Sequence, residues 1–330
     1  MDDSVGSRPG RLGVGVVGAG RVGAVLGSAL RAAGHAVVGV SAVSAASLER
    51  AELLLPGVPV LPVPEVVERA ELVLLAVPDD ALGELTAGLA STGAWQPGQL
   101  VVHTCGRYGW RVLGPAVARG AIPLALHPAM TFSGTSLDLA RLADCCFGVT
   151  APGPVLPIGQ ALVVEMGAEP VVIDEELRPL YHAALAHGSN HLVTVVAQAL
   201  ELLRAAGVEH PDRVLAPLLS ASLDNALRRG DDALTGPVAR GDAGTVTAHV
   251  QAIGAAQDAV RSQGTLGTYR MLARATADRA LANGRLKAAD AEALLAALAE
   301  PVGQPGPPDP PGPPDPPDPP DPPGTGTGQG

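Results

Sequence analysis

The chain has 330 residues, 47% of them hydrophobic and 2% aromatic, and its formal net charge is −11. That length allows two domains, whose cores must be built from Ala, Val and Leu because aromatic residues are so few. The negative charge argues against a nucleic-acid binder, which needs a basic face, and no apolar run approaches the ~20 residues that span a bilayer.

The cysteines and the first residues indicate where the protein resides. Cys145 and Cys146 are adjacent and Cys105 stands alone, so the three cysteines do not form a disulfide framework. Residues 1–10, "MDDSVGSRPG", form a polar, flexible leader that does not resemble a signal peptide. We therefore expect a soluble cytoplasmic protein that binds neither nucleic acid nor membranes.

Residues 11–174 alternate short apolar runs with helical patterns. Near-continuous Val/Leu-rich strands separated by helices predict a mainly parallel, Rossmann-type sheet covered on both faces. The predicted strands are "LGVGVV", "AVVGVS", "ELVLLAV", "LVVHTC", "IPLALH", "CCFGVT" and "PVVI".

The remaining residues have a different character. Residues 175–300 are rich in Ala and Leu and carry no strand signal, which predicts an all-helical second domain whose first helix covers 175–206. Such a long helix is typical of a helical domain or a dimer, and we expect a homodimer. Residues 301–330 repeat Pro and Asp, a composition that predicts a solvated, disordered tail.

A glycine motif follows the first strand and begins an amphipathic helix: Gly18-x-Gly20-x-x-Gly23. Gly18 suits a tight turn, Gly20 lets the backbone approach a pyrophosphate, and Gly23 lets the helix pack closely on the strand. The helix N-terminus adds free N–H groups and a positive dipole. The order strand, turn, helix, strand predicts a dinucleotide site formed by Gly18, Ala19, Gly20, Arg21, Val22 and Gly23.

The second strand indicates which dinucleotide binds. A site that selects NAD usually has an acidic residue at the tip of this strand, on the ribose 2′-hydroxyl. Here Ser41 and Ser44 precede the first carboxylate, Glu49. The two hydroxyls, with Arg21 or Arg50, could bind a 2′-phosphate instead. We therefore expect NADP as the cofactor.

Two further strand ends complete the expected cofactor site. Ala76, Val77 and Pro78 follow the apolar run in "LLAVPDDAL", where small apolar side chains would let the cofactor pass, although Pro78 could simply start the next helix. Thr104 ends the run "LVVHTC" beside the expected nicotinamide. Cys105 has no evident base beside it, so we expect it to be structural.

Several motifs together carry a family resemblance: "GAGRVG", "AVPD", "VVHTCG", "LHPAMTF", "HAALAHGSNHLVTVVAQAL" and "LTGPVARGDAGTVTAH". Over about residues 11–285 the chain resembles the family that joins a Rossmann-like domain to domain of unknown function 2520. That family is similar to the 6-phosphogluconate dehydrogenase-like reductases, among them ketopantoate reductase, pyrroline-5-carboxylate reductase, the hydroxyisobutyrate-type dehydrogenases and deazaflavin-dependent NADP reductase.

The resemblance implies an NADP-dependent reductase of a small keto acid, with its active site between two domains. Ketopantoate in pantothenate synthesis is the first substrate expected, and an imine of the pyrroline-5-carboxylate type is the alternative. Relatives with hydroxyacid substrates have a catalytic Lys four residues before an Asn. Here Asn190 matches the Asn, but Ala186 occupies the Lys position. A non-catalytic NADP-binding sensor therefore remains a third possibility.

The segment "YHAALAHGSNH" places three histidines in a predicted helix. At 100° per residue His187, Asn190 and His191 share one face, while His182 lies on the neighbouring stripe with Asn190. Histidine can donate the proton that accompanies hydride transfer, so His187 is the leading candidate acid, His182 the second, and Asn190 would orient the substrate. Histidines bonded within the core are the competing interpretation. The i, i+4 pair has no evident acidic or Cys partner, and we expect no metal.

Two segments outside this helix supply further candidates. His127 in "LALHPAMTF" lies where α/β proteins collect ligands, and it could bind a carboxylate, transfer a proton or merely end a strand. Thr131 in the same segment is a candidate substrate ligand. Arg240 could bind a substrate carboxylate or pair with Asp231 or Asp242. Either Asp242 or Thr245 suits the N-cap of the next helix.

Overall fold

The computed structural model describes residues 11–261 and 264–299. The predicted leader and the Pro/Asp tail lie outside the described residues. The chain divides into two compact units, one up to Val193 and one from Thr194. The domain boundary expected near residue 174 stays a prediction.

One seven-stranded sheet organises the first unit, in the order β2-β1-β3-β4-β5-β6-β7. All neighbouring strands are parallel except β5 and β6, which are antiparallel. The mainly parallel Rossmann-type sheet is therefore confirmed, and each predicted run corresponds to one strand, with β5 and β7 each extending one residue beyond its run. The strands are β1 (Gly13–Val17), β2 (Ala36–Ser41), β3 (Leu72–Leu75), β4 (Leu100–His103), β5 (Ile122–Pro128), β6 (Cys146–Thr150) and β7 (Glu169–Val172).

Helices cover both faces of this sheet. They are α1 (Arg21–Ala32), α2 (Ala45–Leu54), α3 (Val63–Arg69), α4 (Asp79–Ser91), α5 (Gly114–Val117), α6 (Leu137–Arg141) and α7 (Leu156–Glu165). Successive side chains of a strand point to opposite faces. In β3, Leu72 and Leu74 accordingly join the core under α1, while Val73 and Leu75 join the core under α4. This two-sided burial explains the continuous apolar runs in the sequence.

The helix expected over 175–206 begins as a short 3-10 turn, Glu175–Leu177, and continues as α8 (Arg178–Ala205). The later helices are α9 (Pro211–Arg229), α10 (Gly236–Ala239), α11 (Ala243–Ala255), α12 (Thr265–Ala282) and α13 (Ala288–Ala297). Within its described residues the second unit contains only helices and turns, as predicted. Its core packs small Ala side chains of α12 against Val246 and Leu294.

The described helices also bear on membrane insertion. None of those in residues 11–261 and 264–299 is both long and apolar enough to cross a bilayer.

Candidate functional site

The glycine turn lies between β1 and α1, and its three glycines have different surroundings. Gly18 has φ +96°, and a Cβ there would lie 2.6 Å from the carbonyl oxygen of Ala76. A Cβ on Gly23 would lie 2.1 Å from the oxygen of Gly18. Gly20, by contrast, has no atom within 4 Å of its Cβ position. Gly18 and Gly23 therefore allow close packing, whereas Gly20 leaves open space for a ligand.

The surroundings of this turn suit a phosphate group. Gly20 is the N-cap of α1 without a side-chain cap, and the first turn of α1 carries no acidic residue. Its free N–H groups and the helix dipole favour an anion. The strand order reverses at β1, between β2 and β3, which is where open α/β sheets bind nucleotides. The residues present fit the pyrophosphate of NADP.

The expected cofactor ligands on β2 have structural partners. The Ser41 hydroxyl is buried and accepts a hydrogen bond of 3.0 Å from the backbone N of Gly18. The Ser44 hydroxyl caps α2 by accepting from the backbone N of Ser47. The backbone N of Ala19 donates to the oxygen of Ser41. Ser41 and Ser44 thus shape the loop, which leaves arginines as the candidate 2′-phosphate ligands.

Two arginine side chains converge beside the turn. Arg50 donates from Nη1 to the carbonyl oxygen of Ala19 at 3.1 Å. Gly134 has φ +81°, and a Cβ there would lie 2.7 Å from Cγ of Arg21 and 3.0 Å from Cδ of Arg50. Both side chains thus pass beside Gly134, and the guanidinium of Arg50 lies against the glycine turn.

The other expected cofactor residues lie at the carboxyl ends of strands. Ala76 donates from its backbone N to the oxygen of Val17, and its Cβ abuts Gly23. Val77 is partly buried in the core, and Pro78 is the N-cap of α4. Thr104 directly follows β4. Val22 packs against the opposite core.

A cavity of about 380 Å³ opens at the carboxyl end of β5. It brings together four of the predicted site residues, His127, Thr131, His182 and Asn190. The remaining lining residues are Pro128, Ala129, Met130, Leu185, Ala186 and Ser189. None of these ten side chains carries a permanent charge, so polarity comes from imidazole, hydroxyl and amide groups.

His127 is held by a residue that the sequence did not single out. Its Nδ1 lies 3.0 Å from the hydroxyl oxygen of Tyr181, with the rings edge to face. Gly148 pairs with His127 across the antiparallel β5–β6 ladder. A Cβ on Gly148 would lie 2.7 Å from the Tyr181 hydroxyl. The glycine therefore makes the room in which Tyr181 reaches His127.

The two cavity histidines also contact each other. The rings of His127 and His182 are 5.9 Å apart and nearly perpendicular. The backbone at Gly106 passes close to both, since a Cβ there would lie 2.4 Å from Cδ2 of His182 and 3.0 Å from Nε2 of His127. Burial lowers the pKa of His127 to about 4, with the charge of Arg178 acting in the same direction. His127 is consequently neutral at neutral pH.

Arg178, the first residue of α8, is a fully buried cation under this site. It donates to the carbonyl oxygens of Cys105 at 2.5 Å, Tyr108 at 2.9 Å and Gly148 at 3.1 Å. Among the described residues no carboxylate forms an ion pair with it. Its guanidinium carbon lies 5.5 Å from the centre of the Tyr181 ring. Arg178 therefore ties the loop that follows β4, and the strand β6, to α8.

Two neighbouring residues are bound within the core. Nδ1 of His103 accepts from the backbone N of Cys105, and its Nε2 lies 2.8 Å from the oxygen of Gly109. Burial lowers the pKa of His103 to about 4. Burial, with Asp79 nearby, raises the pKa of Cys105 to about 12, so the thiol is not a nucleophile at neutral pH.

His187 lies elsewhere on α8. It is exposed, and its Nδ1 is 3.1 Å from Nδ1 of His191. It does not belong to the cavity lining, whereas His182 and Asn190 do. In residues 11–261 and 264–299 no group of three or more His, Cys, Asp and Glu side chains is placed to hold a metal ion.

The candidate residues of the second unit are organised around a helix start. Asp242 accepts from the backbone N of Thr245 at 2.9 Å and caps α11, so Asp242 is the N-cap of the two candidates expected. Asp231 pairs with Arg279 at 2.8 Å. Arg240 is exposed and, within the described part of the chain, forms no ion pair.

Sequence comparison divides the chain into two matched segments. Residues 1–128 match the family described as "Rossmann-like domain". Residues 145–276 match "Domain of unknown function (DUF2520)". The two matches follow one another along the chain, Rossmann-like first and DUF2520 second. The resemblance drawn from the motifs is confirmed, although no curated protein matches the sequence.

Several solved structures share this fold. A Bacteroides fragilis protein provisionally named an NADP oxidoreductase is 21% identical with a TM-score of 0.65, over 81% of this chain and 98% of that one. The imine reductase of Myxococcus stipitatus in complex with NADP+ is 17% identical with a TM-score of 0.62, over 86% and 99%. The imine reductase of a Pseudomonas species is 17% identical with a TM-score of 0.60, over 88% and 100%. At these identities the likeness establishes the fold.

The cavity draws on both matched segments. His127 belongs to the Rossmann-like match, while Tyr181, His182 and Asn190 belong to the DUF2520 match. Tyr181 and Arg178 were missed by sequence reasoning. Arg178 gave a usable signal, because an arginine at the start of a helix opposes the helix dipole and needs another reason to be there.

Proposed function

We propose that this protein is an NADPH-dependent reductase of a small carbonyl or imine compound. The observation that carries the proposal is the pairing of two features at one edge of one sheet. The glycine turn is open to a ligand at Gly20, and three strands away the cavity opens at His127. At ~4.8 Å per strand this separation is roughly 14 Å, a span that a dinucleotide crosses in this type of sheet.

NADP is preferred over NAD on local grounds. The tip of β2 offers Ser41 and no carboxylate, so nothing there repels a 2′-phosphate. Arg21 and Arg50 converge beside the turn and could bind that phosphate. The Myxococcus stipitatus imine reductase, which has the same fold, was crystallised with NADP+, and this agrees with the local evidence.

The cavity side chains have separate roles in the proposed reaction. When bound, NADPH would supply the hydride. His127, neutral and without a described partner at Nε2, donates a hydrogen bond to the substrate atom that becomes negative. Asn190 and Thr131 orient the substrate from the cavity wall, and His182 holds the His127 ring. As a separate proposal, Arg240 binds a substrate carboxylate.

Ketopantoate is the first substrate to test and a cyclic imine acid is the second. One observation favours the imine. The cavity lining carries no Lys or Arg for a substrate carboxylate, and Ala186 stands where hydroxyacid dehydrogenases have their lysine. A cyclic imine without a carboxylate needs no such cation, whereas a keto acid and an imine acid both do, and two of the proteins with this fold are named imine reductases.

The experiment is NADPH consumption by the full chain with ketopantoate and with a panel of cyclic imines. His127→Ala and Asn190→Ala should lower kcat/KM by at least tenfold while NADPH affinity, measured by fluorescence, stays within twofold. His187→Ala serves as the competing variant, because helical periodicity pointed to it and the cavity does not include it. A loss confined to His187→Ala would overturn the assignment to this cavity. NADPH binding without turnover on any substrate would favour a sensor.

We also propose that the protein is a cytoplasmic homodimer. Of the 19 residues of α9 only Pro211 is buried, although the helix carries Val214, Leu218 and Leu227. Exposed apolar side chains along one helix are typical of a protein interface, and a second copy of this chain is the occupant we propose. The free thiols of Cys105, Cys145 and Cys146 agree with a reducing compartment.

A further inference from the structure

The hydrogen bond between His127 and Tyr181 can be assigned a direction. The Tyr181 hydroxyl has one proton, and within the described residues the acceptor it reaches is Nδ1 of His127, at 3.0 Å. If Tyr181 donates to Nδ1, the neutral imidazole must carry its proton on Nε2. That atom has no hydrogen-bond partner in the described part of the chain, and His127 lines the cavity.

The groups around His127 keep it in this neutral form. Tyr181, His182 and Arg178 face it from α8, His103 from β4, and Asp79 from the start of α4. Arg178 and the two histidines disfavour a second positive charge, while Asp79 acts in the opposite direction and is outweighed. Burial raises the pKa of Tyr181, and the charge of Arg178, 5.5 Å from the ring centre, acts against that rise by stabilising negative charge on the phenol.

We propose that Tyr181 and His127 form a two-step proton relay in which Tyr181 resupplies the proton that His127 gives to the substrate. The inference rests on the proposed reductase function and adds the route of the proton to it. His127 would touch the substrate, whereas Tyr181 acts through His127 as a positioning and relay residue.

Hydride adds to the carbonyl or imine carbon, and the π-electron pair moves to the oxygen or nitrogen. That atom takes the proton from Nε2 of His127, while Nδ1 takes the proton of the Tyr181 hydroxyl. The imidazole ends neutral with its proton on Nδ1, and the phenolate is left beside Arg178 until water returns a proton. No imidazolium forms at any stage.

The geometry explains why three residues beside the pair are small or buried. Gly148 leaves the space that Tyr181 occupies, and Gly106 leaves the space for both imidazoles. Arg178 is bound to three carbonyl oxygens, so its charge is fixed rather than mobile.

The first test reads the histidine directly and needs no substrate. In the full chain labelled with ¹⁵N-histidine, the His127 resonance, identified by its absence in His127→Gln, should report a neutral ring protonated at Nε2 at neutral pH. Tyr181→Phe should move the proton population toward Nδ1. The control is Tyr269→Phe, which removes the same hydroxyl from a similar pair, Tyr269 and His249, at 2.9 Å in the second unit. It should leave the His127 signal unchanged.

The second test reads turnover. Tyr181→Phe should lower kcat about 10- to 100-fold, within the range of proton-transfer catalysis, with KM changed by less than threefold and no change in Tyr269→Phe. Adding Tyr181→Phe to His127→Gln should cost nothing further, because the two act as one unit.

The remaining outcomes of these two tests contradict either the relay or the proposed reductase function. An Nδ1-protonated His127 in the wild type, or effects of the two substitutions that multiply, would overturn the relay and leave the reductase standing. A wild-type protein that binds NADPH but reduces no carbonyl or imine would overturn the proposed function and the relay with it, whatever the state of the ring.

Discussion

Replacing Gly20 and Gly23 by alanine, one at a time, should separate ligand binding from folding within a single turn. The two positions are three residues apart, and each substitution adds one methyl group. At Gly20 the added Cβ meets no atom within 4 Å, and the backbone angles, φ −70° and ψ −173°, suit alanine. At Gly23 it would lie 2.1 Å from the oxygen of Gly18 and 2.8 Å from Cβ of Ala76.

The magnitudes follow from these contacts. In Gly23→Ala the turn or α1 must shift, and such overpacking costs about 1–3 kcal/mol, or ~2–4 °C in Tm for each kcal/mol in a protein of this size. In Gly20→Ala the fold loses under about 1 kcal/mol, the cost of a poorer N-cap. The methyl group instead occupies the space that a pyrophosphate needs, so NADPH affinity should fall at least tenfold, ~1.4 kcal/mol.

Thermal unfolding without ligand and fluorescence titration with NADPH measure the two effects separately. We expect Gly20→Ala to unfold close to the wild type and bind NADPH weakly, and Gly23→Ala to unfold at a clearly lower temperature. Unchanged NADPH affinity in Gly20→Ala would refute the reasoning, because it would mean that the open side of the turn does not face the cofactor.

Further predictions concern the rest of the molecule. Arg50→Ala should weaken NADPH binding about tenfold and leave NADH binding unchanged in the same titration, whereas equal losses would place Arg50 outside the 2′-phosphate site. Gly106→Ala should displace His182 and lower kcat with little change in NADPH affinity; full activity would show that the close contact relaxes freely. Leu218→Glu should convert the proposed dimer to a monomer, as measured by light scattering. A variant that remains a dimer would show that α9 is not the interface. Asp138 is fully enclosed: its burial raises its pKa, but hydrogen bonds from Gly134 and Ser133 outweigh this and the net pKa is lowered. Its stabilisation is therefore present above about pH 4 and lost as the pH falls below it. Asp138→Asn should cost ~1–3 kcal/mol at neutral pH and flatten the acid limb of the stability profile; an unchanged profile would contradict the assignment.

Much of the fold could be predicted from the sequence, because its signals are local. Most strands of the sheet are short apolar runs, and β3 with its four buried residues is the clearest, whereas the edge strand β7 is largely exposed. The glycine motif was equally readable, since each glycine has its own steric reason. The antiparallel step between β5 and β6 was not readable, because the direction of a strand leaves no mark on its apolar pattern.

The site was harder to predict because its residues meet only through tertiary structure. His127 and Tyr181 are 54 residues apart in the chain, and a glycine on a third element, Gly148, decides whether they can touch. Helical periodicity predicted two candidate stripes of site residues on α8, one through His187 and one through His182, with Asn190 near both. Which stripe faces the cavity depends on packing against β5. In the structure the stripe with His182 lines the cavity.

The most direct test of hydride transfer is to label the transferred hydrogen with deuterium and follow it into the product. The full chain should be incubated with NADPH deuterated at the transferable position, together with ketopantoate and, separately, a cyclic imine acid, and the products analysed by mass spectrometry. A reductase predicts a product carrying one deuterium on the former carbonyl or imine carbon, and its absence in His127→Ala. Bound NADPH with no label transferred to any carbonyl or imine would contradict the function proposed for this protein.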